Sequence, residues 1–276
     1  MRLFLFLICL FININSISAK KSRSLVLSDQ GITDVSSLNV PKRIRSLFLS
    51  GNSISDLSEL TLPSKLKLLE LSDNLISDIS QLQLPESLKR LFLERNTISD
   101  FSSLKDHPGI TFLGIGDMGL DSSFDFDTLP TNLTFLSISA SEFVSLDLAK
   151  YTNLTDLNIK SNVSLDYLQT SLPASLKSIA FGNVTAPDDF TGLVLPEGLE
   201  TISLFADFLS NEELQTLVLP PNVKKIDLSQ NLLTSIDDIE FPDSLRKLNL
   251  KKNQFSKAQK KKIRKRFRGT KVKVKL

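Results

Sequence analysis

Chemistry at neutral pH most often begins with an imidazole or a thiol, and this chain of 276 residues has one of each, His107 and Cys9. His107 stands in His107-Pro108-Gly109, whose turn-forming neighbours mark it as a turn residue rather than a general base. Cys9 lies in an apolar N-terminal run, out of reach of any partner thiol. No GxSxG, HExxH or phosphate-cradling glycine loop is present. The adjacent acids Asp188-Asp189 and Asp237-Asp238 offer too few ligands for calcium and read as solvated turn residues. The sequence predicts no catalytic residues, no cofactor and no metal, hence no enzyme.

Recognition is the remaining chemistry. Phe48, Leu68, Glu70, Arg90, Phe92, Glu94, Phe112 and Phe135 recur at positions related by steps of about 22 residues. In each case the residue flanks a leucine or isoleucine by one place, so an extended backbone turns it away from the side those aliphatics occupy. Aromatics beside an arginine are the residue types that protein-binding hot spots use, and these eight form the predicted ligand-binding patch. Four Asn-x-Ser/Thr sequons start at Asn132, Asn153, Asn162 and Asn183. Asn132, Asn153 and Asn183 are candidate glycan acceptors, whereas Asn162 shares an interior column with other asparagines and is expected to be buried.

The positioning elements follow from the period. Leu-x-Leu pairs and their Ile or Phe equivalents begin at residues 25, 47, 69, 91, 113, 136, 157, 179, 202, 226 and 248, giving eleven units with steps of 21 to 24. Two apolar residues with one outward residue between them define a short strand per unit. Asn52, Asn74, Asn96, Asn162, Asn231 and Asn253 come three residues after the second aliphatic, with Gln30 in the first unit. An amide can donate to and accept from backbone groups of a bend. Most connectors carry proline three places before their last aliphatic, as at Pro41, Pro63 and Pro85. About ten residues then remain to cross back, enough for turns or short 3-10 pieces.

The pattern LxxLxLxxN on a 22-residue step, renewed from Leu25 to Phe255, resembles the leucine-rich repeat proteins. Connectors such as Leu84 to Leu91, LPESLKRL, are most similar to secreted members and to receptor-kinase ectodomains, without any kinase segment. The resemblance implies an α/β repeat fold: a leucine-rich repeat solenoid with a curved parallel β-sheet on the concave face and turn or 3-10 connectors on the convex face. It also implies an interior asparagine ladder. Met118, Ser141, Val184 and Asp207 interrupt that ladder, at about 1 kcal/mol each where nothing replaces the amide. Packing is expected to be least regular there.

Residues 1–19, Met1-Arg2 followed by an apolar run and Ser16 to Ala19, read as a signal peptide too short to span a bilayer. Residues 20–255 form the solenoid, and 256–276 a basic cap of one short helix and one strand. The cap holds eleven of the 33 Lys and Arg and no acid, leaving 22 bases against 31 acids elsewhere. The expected function is a secreted, monomeric, non-enzymatic module binding a protein or peptide on its concave surface. One alternative is an extracellular structural protein held by its tail to an acidic polysaccharide or anionic surface. Another is an intracellular scaffold resembling phosphatase regulators. Secretion argues against nucleic acid as a partner.

Overall fold

The computed structural model describes residues 22–139, 142–143, 145–161, 170–182, 190–206 and 208–276. The signal-peptide segment, Asn162, Asn183, Asp188-Asp189 and the ladder interruptions Ser141, Val184 and Asp207 lie outside them.

Each Leu-x-Leu core forms a strand: β1 (Ser24–Val26), β2 (Ser46–Phe48), β3 (Leu68–Glu70), β4 (Arg90–Phe92), β5 (Phe112–Gly116), β6 (Phe135–Ser139), β8 (Asp156–Lys160), β10 (Ser178–Gly182), β11 (Thr201–Phe205), β12 (Lys225–Asp227) and β13 (Lys247–Asn249). With β14 (Lys273–Lys275) they make one twelve-stranded parallel sheet in chain order. β7 (Leu146–Asp147) and β9 (Thr170–Ser171) form a separate parallel pair. Both inward residues of all eleven pairs are at most 5 % exposed. The chain is therefore a parallel β-solenoid of stacked coils whose single core runs the length of the sheet.

The asparagines explain why the outer strands are short. Asn74 Nδ2 donates to Leu49 O (3.0 Å) and Leu71 O (2.9 Å), and its Oδ1 accepts from Ile54 N (3.1 Å). Asn52, Asn96, Asn231 and Asn253 repeat this arrangement. The amide takes the carbonyl that the next ladder N–H would have used, so the chain can turn inward after three residues. β5, β6, β10 and β11 belong to the units whose ladder residue is Met118, Ser141, Val184 or Asp207, and each runs two residues further, as does β8 of the Asn162 unit that lies among them. Where the amide is missing, the sheet itself satisfies the backbone. The departure from regularity expected there takes the form of longer strands.

The residue before the ladder position is left-handed in unit after unit: Asp29, Gly51, Asp73, Arg95, Asp117, Ser161, Gln230 and Lys252 have φ between 50° and 68°. This column holds the sharp turn, and Gly51 in it is the sequence sign of a positive φ. Among the described residues the connectors are largely turns, with 3-10 segments at Ser102–Leu104 and Phe126–Thr128 and one short helix, α1 (Asn211–Gln215). Prolines 41, 63, 85, 173, 196 and 242 open turns whose carbonyl accepts from the N–H three residues on, at 2.8 to 3.1 Å. At His107 a side chain replaces that carbonyl: Nδ1 accepts from Gly109 N (3.1 Å) and Ile110 N (3.2 Å).

The role of His107 is thus a turn brace, and burial pushes its pKa below the usual 6.5. Because the folded state disfavours the proton, the brace is intact above about pH 6.5 and is lost as pH falls through the depressed folded value. Glu94, whose burial raises its pKa, acts in the opposite sense, its cost to the folded state being relieved as pH falls through the raised value. We expect the urea midpoint to decline from pH 7 to pH 5 in the wild type. His107→Asn, which keeps an acceptor without a titrating ring, should flatten that decline. An unchanged slope in the variant would assign the pH dependence elsewhere.

The C-terminal segment closes the last coil. Ser256 caps α2 (Lys257–Arg266) by accepting from Gln259 N (3.1 Å), and Ile263 is buried beneath the helix. Arg266 donates to the carbonyls of Ile236 and Ile239, at 2.5 and 2.6 Å. Asp237 is not the free turn acid that the sequence suggested. It accepts from Lys262 and Gln259, which hold its pKa at about 2. Among the described residues no helix is long and apolar enough to cross a membrane.

Candidate functional site

The outward face of the long sheet is organised by register. Arg90 pairs with Phe112 and Phe112 with Phe135, so the first outward positions of β4, β5 and β6 stand side by side. In the second outward column Phe48 pairs with Glu70, Glu70 with Phe92 and Phe92 with Gly114. Leu68 flanks Arg90. All eight residues of the predicted patch are therefore on one face and within a few strands of one another.

The aromatics pack as a row. The Phe112 and Phe135 rings stack at 3.8 Å with 4° between their planes. Phe92 meets Phe112 at 5.1 Å and 54°, and the Arg90 guanidinium lies 5.5 Å from the Phe112 centroid. Strands about 4.8 Å apart bring same-column rings into contact, which explains the stack. Phe48, Phe92, Phe112 and Phe135 are each half-buried, and Arg90 is exposed. The rings cover one another but are not absorbed into the core, so apolar surface remains outward.

Beside the row is an open trough of about 580 Å³, lined among others by Phe48, Glu70, Phe92 and Glu94, with Asp73, Arg95 and Asp117 on its far side. Glu94 lies over Gly114, where a Cβ would sit 2.2 Å from its Oε1. Its Oε2 accepts from Ser72 Oγ at 2.8 Å. Burial is the main cause of its raised pKa, and the nearby Glu70 carboxylate pushes in the same direction. Arg95, which follows Glu94 in the chain, has its fork engaged by Asp73 and stands 3.8 Å from Asp117. It braces three neighbouring turns. With that cation offset, the trough keeps more negative than positive groups.

Glu94 is the one predicted member of a third outward column; its other members Ser50, Ser72, Ser139 and Lys160, absent from the predicted patch, complete the trough lining. Their signal was available in the same 22-residue alignment, one pleat further along. Away from the sheet, half-buried Phe124 and Phe126 pack on buried Phe101 and Phe143 in an aromatic cluster with contacts of 5.0 to 6.0 Å, distinct from the outward row. Asn132 and Asn153 are exposed.

No protein-family model and no curated protein matches the chain. Among solved structures it is similar to a chain in the octameric complex of Latrophilin 3, Unc5D and FLRT2, the last contributing a leucine-rich repeat region. Identity is 16 % and the TM-score 0.58, over 92 % of this chain and 90 % of that one. It is also similar to two internalins of Listeria monocytogenes. For inlF the identity is 19 % and the TM-score 0.49, covering 92 % and 86 %; for inlC2 they are 22 % and 0.37, covering 58 % and 80 %. The first likeness carries the assignment: the fold is the leucine-rich repeat solenoid.

Proposed function

We propose that this leucine-rich repeat solenoid is a secreted, non-enzymatic module that recognises a protein or peptide on the concave face of its sheet. The observation that carries the reading is the half-exposed row Arg90, Phe92, Phe112 and Phe135 on the outward face. A preformed row of stacked rings offers apolar contact area with little side-chain entropy left to lose. Leu68 and Phe48 extend it, and Glu70 and Glu94 border it. A partner suited to this site presents an apolar side chain to the rings and a basic one to the trough, where desolvated Glu94 gains most from a cation. The FLRT2 leucine-rich repeats, seen in a complex with other proteins, show this fold in such company. Asn132 and Asn153 are exposed and suit glycan attachment in a secreted chain; Asn183 remains a third candidate from the sequence.

The test is capture of extracellular proteins by the wild-type chain, with Phe112→Ala run in parallel. Removing the central ring breaks both ring contacts and the arginine stack. We expect any partner held at this site to bind about 30-fold more weakly, in line with a hot-spot loss of about 2 kcal/mol. A partner that binds wild type and Phe112→Ala equally, measured by calorimetry, would move the site elsewhere on the molecule.

A further inference from the structure

A second surface lies at the other end of the same face. The first outward residues of β12, β13 and β14 are Lys225, Lys247 and Lys273, paired strand to strand in register. Lys275 stands in the next column of β14, and Lys251 and Lys252 follow β13. All six are exposed. Like charges placed directly opposite on neighbouring strands repel one another, so this row stores an unfavourable interaction that an anion would relieve.

Two cations beside the row are paired, and the row is not. Neighbouring Lys224 reaches Glu200 at 2.8 Å, and Lys262 reaches Asp237 at 2.7 Å. Among the described residues no carboxylate comes within 4.0 Å of Lys225, Lys247 or Lys273. Asp227, on the same face, is already satisfied by Asn249 Nδ2 at 2.9 and 3.0 Å and by Ser229 N at 2.9 Å. Protection of the sheet edge would explain lysines on the terminal strand β14, but not Lys225 and Lys247, which lie on paired interior strands.

We propose that this row is a binding site for a linear acidic polysaccharide, carrying sulfate or carboxylate groups. Three ammonium groups in line, on strands about 4.8 Å apart, match successive anions along a polymer. The adjoining outward residues Thr201 and Ser203 supply hydroxyl groups suited to sugar. The outward positions of β12 to β14 carry no aromatic residue, unlike the row at β4 to β6, which disfavours a protein hot spot here. An anionic bilayer would need no such line of charges and would meet the exposed cations of α2 equally well.

The experiment uses the full chain and heparin as the probe, by affinity chromatography and titration at about 0.15 M salt. The variant Lys225→Gln/Lys247→Gln/Lys273→Gln is compared with Lys260→Gln/Lys261→Gln/Arg264→Gln/Lys265→Gln, which removes more charge from the cap helix. We expect the row variant to bind at least about tenfold more weakly, the helix variant to lose less than about threefold, and an all-arginine row to retain binding. Phe112→Ala should leave heparin binding unchanged, so this site can fail or stand independently of the aromatic one. The proposal is overturned by no wild-type retention, by a helix variant that loses as much as the row variant, or by phosphatidylserine vesicles that bind without competition from heparin. Coincident urea midpoints for all variants establish that the losses are not unfolding.

Discussion

Replacing Asn96 with alanine is expected to destabilise the chain by about 3–6 kcal/mol, one of its largest single-residue effects. The amide is 3 % exposed and serves three buried backbone groups: Leu71 O (3.0 Å), Leu93 O (2.9 Å) and Ile76 N (3.0 Å). Alanine leaves all three without a partner in a site that water cannot readily enter, and each orphan costs about 1–2 kcal/mol. The equivalent position one unit on is Met118, half-buried, where no amide serves the backbone and the strand runs longer instead. Met118→Ala should therefore cost only about 1 kcal/mol, from lost apolar contact. Urea unfolding of the two variants checks the contrast. Equal losses would mean that the ladder contributes packing rather than hydrogen bonding.

Removal of Ser256 to Leu276 is expected to lower stability by on the order of 5 kcal/mol and to promote association of the truncated chain. The segment buries Ile263 and covers the last coil with Phe267, Val272, Val274 and Leu276. It also supplies the final sheet pairing, with Leu250 N donating to Lys275 O at 2.8 Å and Lys273 N to Arg246 O at 2.8 Å. Without it, the β13 edge and the core side chains of the last unit meet water, and a repeat protein whose units touch only their neighbours has no other means of closing that end. Ile263→Ala, a milder perturbation, should cost about 2–4 kcal/mol. Denaturation and light scattering of the truncated chain test this. A truncated protein that stays monomeric with an unshifted midpoint would show that the segment does not act as a cap.

Why so much was legible in advance is clear at particular residues. Leu69 and Leu71 could be placed inside, and Asn74 at an interior bend, because the same types return at Leu91, Leu93 and Asn96. A unit that contacts mainly its neighbours must repeat what it buries. The outward eight were legible for the same reason, since alternation along a strand leaves no other side for them. Arg95 was not. Its sequence neighbours are those of a patch residue, yet the left-handed turn at φ 53° aims it along the column to Asp73. Asp237 was misjudged because its partners Gln259 and Lys262 come from a helix more than 20 residues away.

By itself, the sequence determined the coil, the strand in each coil, the buried aliphatics and the asparagine ladder, because these are consequences of a period and of short-range backbone chemistry. Only the tertiary structure decided which outward side chains meet. The Phe112 to Phe135 stack, the Glu94 carboxyl over Gly114 and the unpaired lysine row all depend on the register between successive coils. That register is a property of the stacked assembly and is written in no single unit.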